Sequence, residues 1–275
     1  MSEKLQKVIA NTGRGSRREV ERWIEAGRIS VNGKSAKLGD RVDDTDKIAI
    51  DGKLIQINAG KNVRAKLLLY HKGEGKIVSR SDPGGRPTVF EDLPNLANGR
   101  WIAIGRLDLN TSGLLLFSND GGLANKMMHP STGIEREYLV RVRGRISGET
   151  LTSLVREGVV IDGKNAKFER LFPADQSEEG TNHWYRAVIK EGRNREVRKM
   201  FEEVGHTVSR LKRIRYGTIQ LTRDLKQNKS TLAAPQQLSK LLQSYGLNEY
   251  LPTLTSRRPA RSKQKRSNTT RSKKR

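Results

Sequence analysis

The segment Gly105-Arg106-Leu107-Asp108-Leu109-Asn110-Thr111-Ser112-Gly113 holds the residues best placed for chemistry in this chain of 275 residues. Asp108 stands just ahead of the continuous apolar run Leu114-Leu115-Leu116-Phe117. A carboxylate at the mouth of a buried strand is held rigidly. It can then act as a nucleophile or a base, or it can be a structural group in a salt bridge, and spacing alone admits both readings. A second segment, Glu191-Gly192-Arg193-Asn194-Arg195-Glu196-Val197-Arg198-Lys199-Met200, sets four cations at the start of a helical pattern. Within it Val197, Met200, Phe201 and Val204 recur at i, i+3, i+4 and i+7, one apolar face.

Other chemistries are excluded by what is missing. There is no cysteine, which removes disulfides, thiolate zinc sites, iron–sulfur clusters and cysteine nucleophiles. His71, His129, His183 and His206 show no metal-ligand spacing, so no metal site is expected. Neither G-x-x-x-x-G-K-[ST] nor a G-x-G-x-x-G after a strand occurs, so no nucleotide or other cofactor is expected.

The elements that must hold Asp108 follow from periodicity. Residues 67–70 and 114–117 are unbroken apolar runs suited to strands buried on both faces. Residues 138–142 and 185–189 alternate, as half-buried strands do, and helices are expected near 149–156, 196–204 and 236–245. Strands interleaved with a few helices give an α+β domain over 66–250. Ahead of it, past a polar linker at 59–65, residues 3–58 form a smaller unit. It starts with a helix bearing Leu5, Val8 and Ile9, followed by Ser16-x-x-Glu19 as a capping box for a second helix. Gly27 ends that helix, and Asn32-Gly33 signals a hairpin.

Charge identifies the class of partner. With 54 Lys and Arg against 30 Asp and Glu, the formal net charge is +24. Such a surface seeks an anion, and at this strength nucleic acid is the expected one. Residues 251–275 read as a disordered basic tail, with ten Lys and Arg and no acid from Arg257 onward. It serves either as a solubiliser or as a phosphate-binding arm. Apolar runs fall short of the roughly 18 residues that a membrane span needs, and the N-terminus lacks a signal-peptide pattern. A cytoplasmic monomer is the expectation.

The string S-R-R-E-x-E-x-x-I-E-x-G-R-I-S-V-N-G-K-x-A-K-L-G-D-R-V over residues 16–42 resembles the S4 RNA-binding domain. That resemblance implies that Arg14, Arg17, Arg18 and Arg22 dock structured RNA. Taken alone, these arginines could equally form a solvated helix face paired with Glu21 and Glu25. The G-R-L-D-x-x-[ST]-x-G-L-L-L pattern at 105–116 is similar to that of pseudouridine synthases. Ser81-Asp82-Pro83-x-Gly85-Arg86-Pro87-Thr88-Val89 and the 191–200 segment resemble the branch of that family that also carries an S4 domain.

The resemblance implies an isomerase that detaches uracil from ribose, rotates it and rejoins it through carbon, without cofactor or metal. Its target would be a uridine of large-subunit ribosomal RNA near the peptidyl-transferase centre, in free RNA or in an assembling particle. Small-subunit RNA, another large-subunit uridine, or a non-catalytic S4-type assembly factor are the alternatives. The fold implied is a mainly antiparallel mixed sheet. Asp108 takes the place of the family's essential aspartate, and Arg198 that of its basic partner, expected in an ion pair with Asp108. Arg106 matches the residue that fills the place of the flipped base. Tyr138 matches the aromatic that stacks on that base, and Val197 its apolar floor; spacing alone reads Tyr138 as a core tyrosine. Arg193, Arg195, Lys199, Arg210, Lys212, Arg213 and Arg215 would form a phosphate-binding rim. Three positions depart from the family pattern. Gly73 stands where proline is common and is expected to loosen its turn, Arg136 replaces a lysine, and Glu196 replaces a glutamine.

Overall fold

Local signals in the first fifty residues act as their chemistry dictates. The computed structural model describes residues 2–57, 65–97, 99–174 and 180–251. Ser16 Oγ accepts from the Glu19 N–H at 3.1 Å while Glu19 Oε2 accepts from the Ser16 N–H at 2.6 Å, a complete capping box. It opens helix Arg17–Glu25, which packs beside helix Leu5–Asn11. Strands Ile29–Val31 and Lys34–Ser35 are joined through Asn32 and Gly33, both at positive φ, the two-residue turn whose twist matches the strands. Ile48–Ile50 and Lys53–Ile55 complete a four-stranded sheet, with Leu5, Ile9, Val20, Ile24 and Ile29 buried against it. The expected linker at 59–65 and the basic tail lie almost wholly outside the described residues.

The larger unit is built on a nine-stranded sheet. Its main path runs Arg170–Pro173, Asn182–Ile189, Arg136–Arg143, Val208–Tyr216, Ser112–Ser118, Leu67–Lys72 and Ser230–Leu232. Ile102–Ile104 pairs with Ser112–Ser118 off that path. Neighbours are antiparallel except Val208–Tyr216 against Ser112–Ser118, which run parallel, so the sheet is mainly antiparallel and mixed. Leu68, Tyr70, Leu115 and Phe117 enter one core, while Leu67, Leu69, Leu114 and Leu116 enter another. Burial on both faces explains the unbroken apolar runs of these two strands.

Gly113 is where the two parallel strands meet, opposite Arg213. Its φ is +109°, and a Cβ there would stand 2.2 Å from the Arg213 carbonyl oxygen. Only glycine permits that approach. Helices Gly148–Arg156, Glu196–Glu203 and Pro235–Ser244 lie where periodicity predicts them. Helix Gly121–Met128 was not foreseen, because two glycines open it. Asp120 nucleates it, accepting from the N–H groups of Gly122 at 2.7 Å and Leu123 at 2.9 Å, and Leu123, Ala124 and Met127 bury its inner face.

Candidate active site

Asp108 lies in the loop just before strand Ser112–Ser118, half-buried at the wall of a cleft of about 620 Å³. Arg106, exposed at its mouth, lines the same cleft. Tyr138, 7% exposed, reaches it from the next strand but one, where Arg136, Tyr138, Val140 and Val142 alternate inward. Val197 lines it from the first turn of helix Glu196–Glu203. Four of the residues singled out from the sequence therefore converge, although 91 positions separate the first from the last in the chain.

The fifth does not converge as expected. Arg198 makes no ion pair with Asp108 and does not line the cleft. It is buried, and its guanidinium is used by main-chain oxygens, donating to Val208 at 2.8 Å and to Asn110 at 2.8 Å. Burial lowers its pKa, and the charge of Asp108 works against that shift. Arg198 thus steadies the loop that carries Asp108 through Asn110, and meets the carboxylate only through the field.

A residue that spacing passed over does more for this loop. Lys72, fully buried at the end of strand Leu67–Lys72, donates to the carbonyl oxygens of Gly73 at 2.9 Å, Asp108 at 3.0 Å and Thr111 at 2.9 Å. Burial pushes it down to about 8, partly offset by the Asp108 charge. A single lysine at the end of an apolar run carries no periodic signal of this kind. At its neighbour Gly73 the N–H donates to Asn228 Oδ1 at 3.0 Å, a bond that proline has no hydrogen to make.

The cations of the expected rim divide sharply. Arg193 is tied to Glu191 at 2.8 Å, to Glu196 at 3.1 Å and to the Asn165 oxygen at 2.7 Å. Lys199 pairs with Asp162 at 2.6 Å, Arg195 with Glu202 at 3.5 Å, and Arg215 with Glu137 at 2.7 Å and Glu135 at 3.0 Å. Arg213 is not on a rim at all, being 3% exposed in the cleft wall. The side chains of Arg210 and Lys212 form no hydrogen bond or ion pair among the described residues and stay open to a phosphate. Glu196 is buried, which pushes its carboxyl pKa up, yet it accepts from the Arg193 N–H at 3.1 Å and holds the turn at Arg195, whose φ is +52°. Arg136 is buried too and donates to the Lys190 and Glu191 oxygens and to the Tyr216 hydroxyl.

In the N-terminal unit the side chains of Arg14, Arg17, Arg18 and Arg22 are exposed and form no hydrogen bond or ion pair among the described residues. Glu21 accepts from Gln6 at 3.1 Å instead of pairing with them. A face of four unpaired guanidinia is suited to phosphates rather than to self-pairing.

The cleft on this sheet, with a carboxylate, an inward tyrosine and a basic mouth, places the chain in a class. It belongs to the RNA pseudouridylate synthase family, whose model matches residues 66–203, and an S4 domain model matches residues 3–48. The chain is similar to "Ribosomal large subunit pseudouridine synthase B" of Escherichia coli K12, 54% identical over 227 residues, covering 82% of this chain and 77% of that one. The protein of the same name from Vibrio cholerae is 54% identical over 226 residues, 82% of this chain and 70% of its own. That of Pseudomonas aeruginosa is 48% identical over 258 residues, 94% of this chain, which spans 66% of the relative's length. A crystal structure of a pseudouridylate synthase shares the fold at a TM-score of 0.60 and 22% identity, covering 86% of this chain and 99% of that one.

Proposed function

We propose that this chain isomerises a uridine of large-subunit ribosomal RNA to pseudouridine, at a position near the peptidyl-transferase centre. The observation that carries the reading is the convergence of Asp108, Tyr138, Val197 and Arg106 on one cleft. The names of the Escherichia coli and Vibrio cholerae relatives support the choice of RNA. The target base leaves its stack to reach the cleft. Arg106 enters the space it vacates, Tyr138 stacks on its ring and Val197 floors it. Asp108 works at the sugar–base junction as a carboxylate, either attacking C1′ or taking a sugar proton. Lys72 and Arg198 hold its loop through the four main-chain oxygens of residues 108, 109, 110 and 111. The S4 unit and the open cations Arg210 and Lys212 bind phosphates and set the register of the RNA.

Tritium release from RNA labelled at uracil C5 tests this, with wild type and Asp108→Asn on ribosomal RNA and on immature large subunits. Release by wild type alone is the expected result, with RNA affinity nearly equal for both proteins. If neither protein releases tritium from either substrate, a non-catalytic assembly factor becomes the better reading.

A further inference from the structure

Arg213 is more deeply buried than any other cleft-lining guanidinium, and it is not fully partnered. Burying a charged group is costly unless its donors find acceptors. Nε of Arg213 donates to the Leu114 oxygen at 2.7 Å, joining the two parallel strands. Its Nη2, also buried, finds no acceptor among the described residues. Thr111 Oγ1, in the same wall and 2% exposed, is likewise buried without a partner. Arg136 differs, since both its terminal nitrogens are engaged. The two guanidinia lie 5.2 Å and 5.3 Å from the centre of the Tyr216 ring, so the wall facing the base is doubly cationic. Of the acids lining the cleft, Glu191 and Glu196 are taken by Arg193, and Asp108 belongs to the sugar side.

We propose that Arg213 is a catalytic residue for the base rather than a phosphate contact. Its Nη2 donates to a carbonyl oxygen of the flipped uracil, and its charge stabilises the uracil anion released in the reaction. This rests on the isomerase reading. When the C1′–N1 bond breaks, its electron pair leaves with the base, and negative charge spreads over N1 and the ring oxygens. C1′ is compensated either by an Asp108 oxygen or by loss of a sugar proton to it. C5 then bonds to C1′ as the Asp108 oxygen leaves C1′, or as Asp108 returns the proton to the sugar carbon that lost it. The C5 proton departs to solvent and N1 gains a proton, so the sum is an isomerisation. Arg213 transfers nothing. It supplies a fixed positive charge where negative charge develops, inside a wall that excludes water.

The test compares the single-turnover rate of N-glycosidic bond loss for wild type and Arg213→Gln, on RNA carrying uridine or 5-fluorouridine at the target. Fluorine makes the departing anion more stable, so that base depends less on outside help. Wild-type tritium release is established first, so failure of the isomerase reading shows there and not in the variant. Arg213→Gln is expected to hold RNA affinity within about threefold and to slow uridine cleavage by about 10²-fold. On 5-fluorouridine the deficit should shrink by about tenfold or more. An equal deficit on both bases, or no deficit on uridine, would overturn the proposal. Thermal unfolding checks the fold. If Arg213→Gln fails to fold, Arg213→Met, which removes the charge while keeping a long side chain, takes its place with the same two bases and the same expected outcomes. Wild type gives a readout that needs no variant, namely inhibition by 5-nitrouracil, an anion at neutral pH, against neutral uracil. The anion should bind about tenfold tighter, and equal or weaker binding would count against a cationic base site.

Discussion

The ammonium of Lys72 and the main chain of Asp108 are joined by a 3.0 Å hydrogen bond across 36 positions of sequence. The same nitrogen holds the main-chain oxygens of Leu109 at 3.3 Å and Thr111 at 2.9 Å, so one buried lysine ties the loop that presents the carboxylate to the end of its own strand. The Asp108 side chain is thereby left free for substrate while its backbone is fixed.

Replacing Lys72 by Met should leave those buried oxygens without a donor. We expect a loss of about 2–4 kcal/mol in stability by urea unfolding, and a fall in kcat of tenfold or more with little change in KM, because the loop loses its geometry. A variant as stable and as active as wild type would show that the loop holds itself.

The same residue sets a pH dependence. Burial holds Lys72 at about 8 in the folded protein, below the value of about 10.4 for a free lysine. The unfolded chain therefore binds more protons between those limits, and the contribution of Lys72 to stability rises as pH climbs through that window. Activity should move the opposite way. Above about 8 the neutral amine has lost its charge and one donor, so the single-turnover rate should fall with an alkaline limb near pH 8. Lys72→Arg should carry no limb below a pH of about 10, and a limb that persists there would assign it to another group.

Gly113→Ala should be among the most damaging small substitutions. The added Cβ meets the Arg213 carbonyl oxygen at 2.2 Å and its nitrogen at 2.6 Å, both backbone atoms that cannot swing away, at a φ of +109°. We expect about 3–5 kcal/mol of destabilisation, with loss of activity in whatever folds, because the seam between the Asp108 strand and the Arg213 strand must open. Calorimetry showing a change under about 1 kcal/mol would contradict the close approach.

The unpaired arginines of the S4 unit predict a salt effect. Arg17→Ala with Arg18→Ala should weaken RNA binding without lowering the rate at saturating RNA. It should reduce the slope of log K against log salt by about 0.7–0.9 per lost phosphate contact. Deleting 257–275 should reduce the slope by several units more if that segment binds phosphates. An unchanged slope would make it a passive solubiliser.

Much of the fold was legible because its signals are local, whereas the roles of Asp108, Arg106, Tyr138 and Val197 rested on the resemblance to a family. A capping box, an Asn-Gly turn and an i, i+3, i+4, i+7 stripe each lie within one turn or one helix, and all three formed as read. Arg213 and Lys72 were misjudged or missed for the opposite reason. A basic residue in a strand points outward or inward according to register, and register is a property of the partner strands. The ion pair expected between Asp108 and Arg198 failed likewise, since main-chain oxygens of Asn110 and Val208, 88 and 10 positions from Arg198, reached the guanidinium first.

By itself the sequence determined the α+β class, the two-unit order and the basic character, carried by composition and short-range pattern, and pointed to Asp108 through a motif that resembles a family's. The tertiary structure decided which cations face the cleft, which are spent on the protein's own carbonyls and carboxylates, and which remain open. The physical reason is that a guanidinium or ammonium binds whichever acceptor the packed strands bring within about 3 Å. That distance is set by strand pairing between segments up to about a hundred residues apart, such as Leu114 and Arg213.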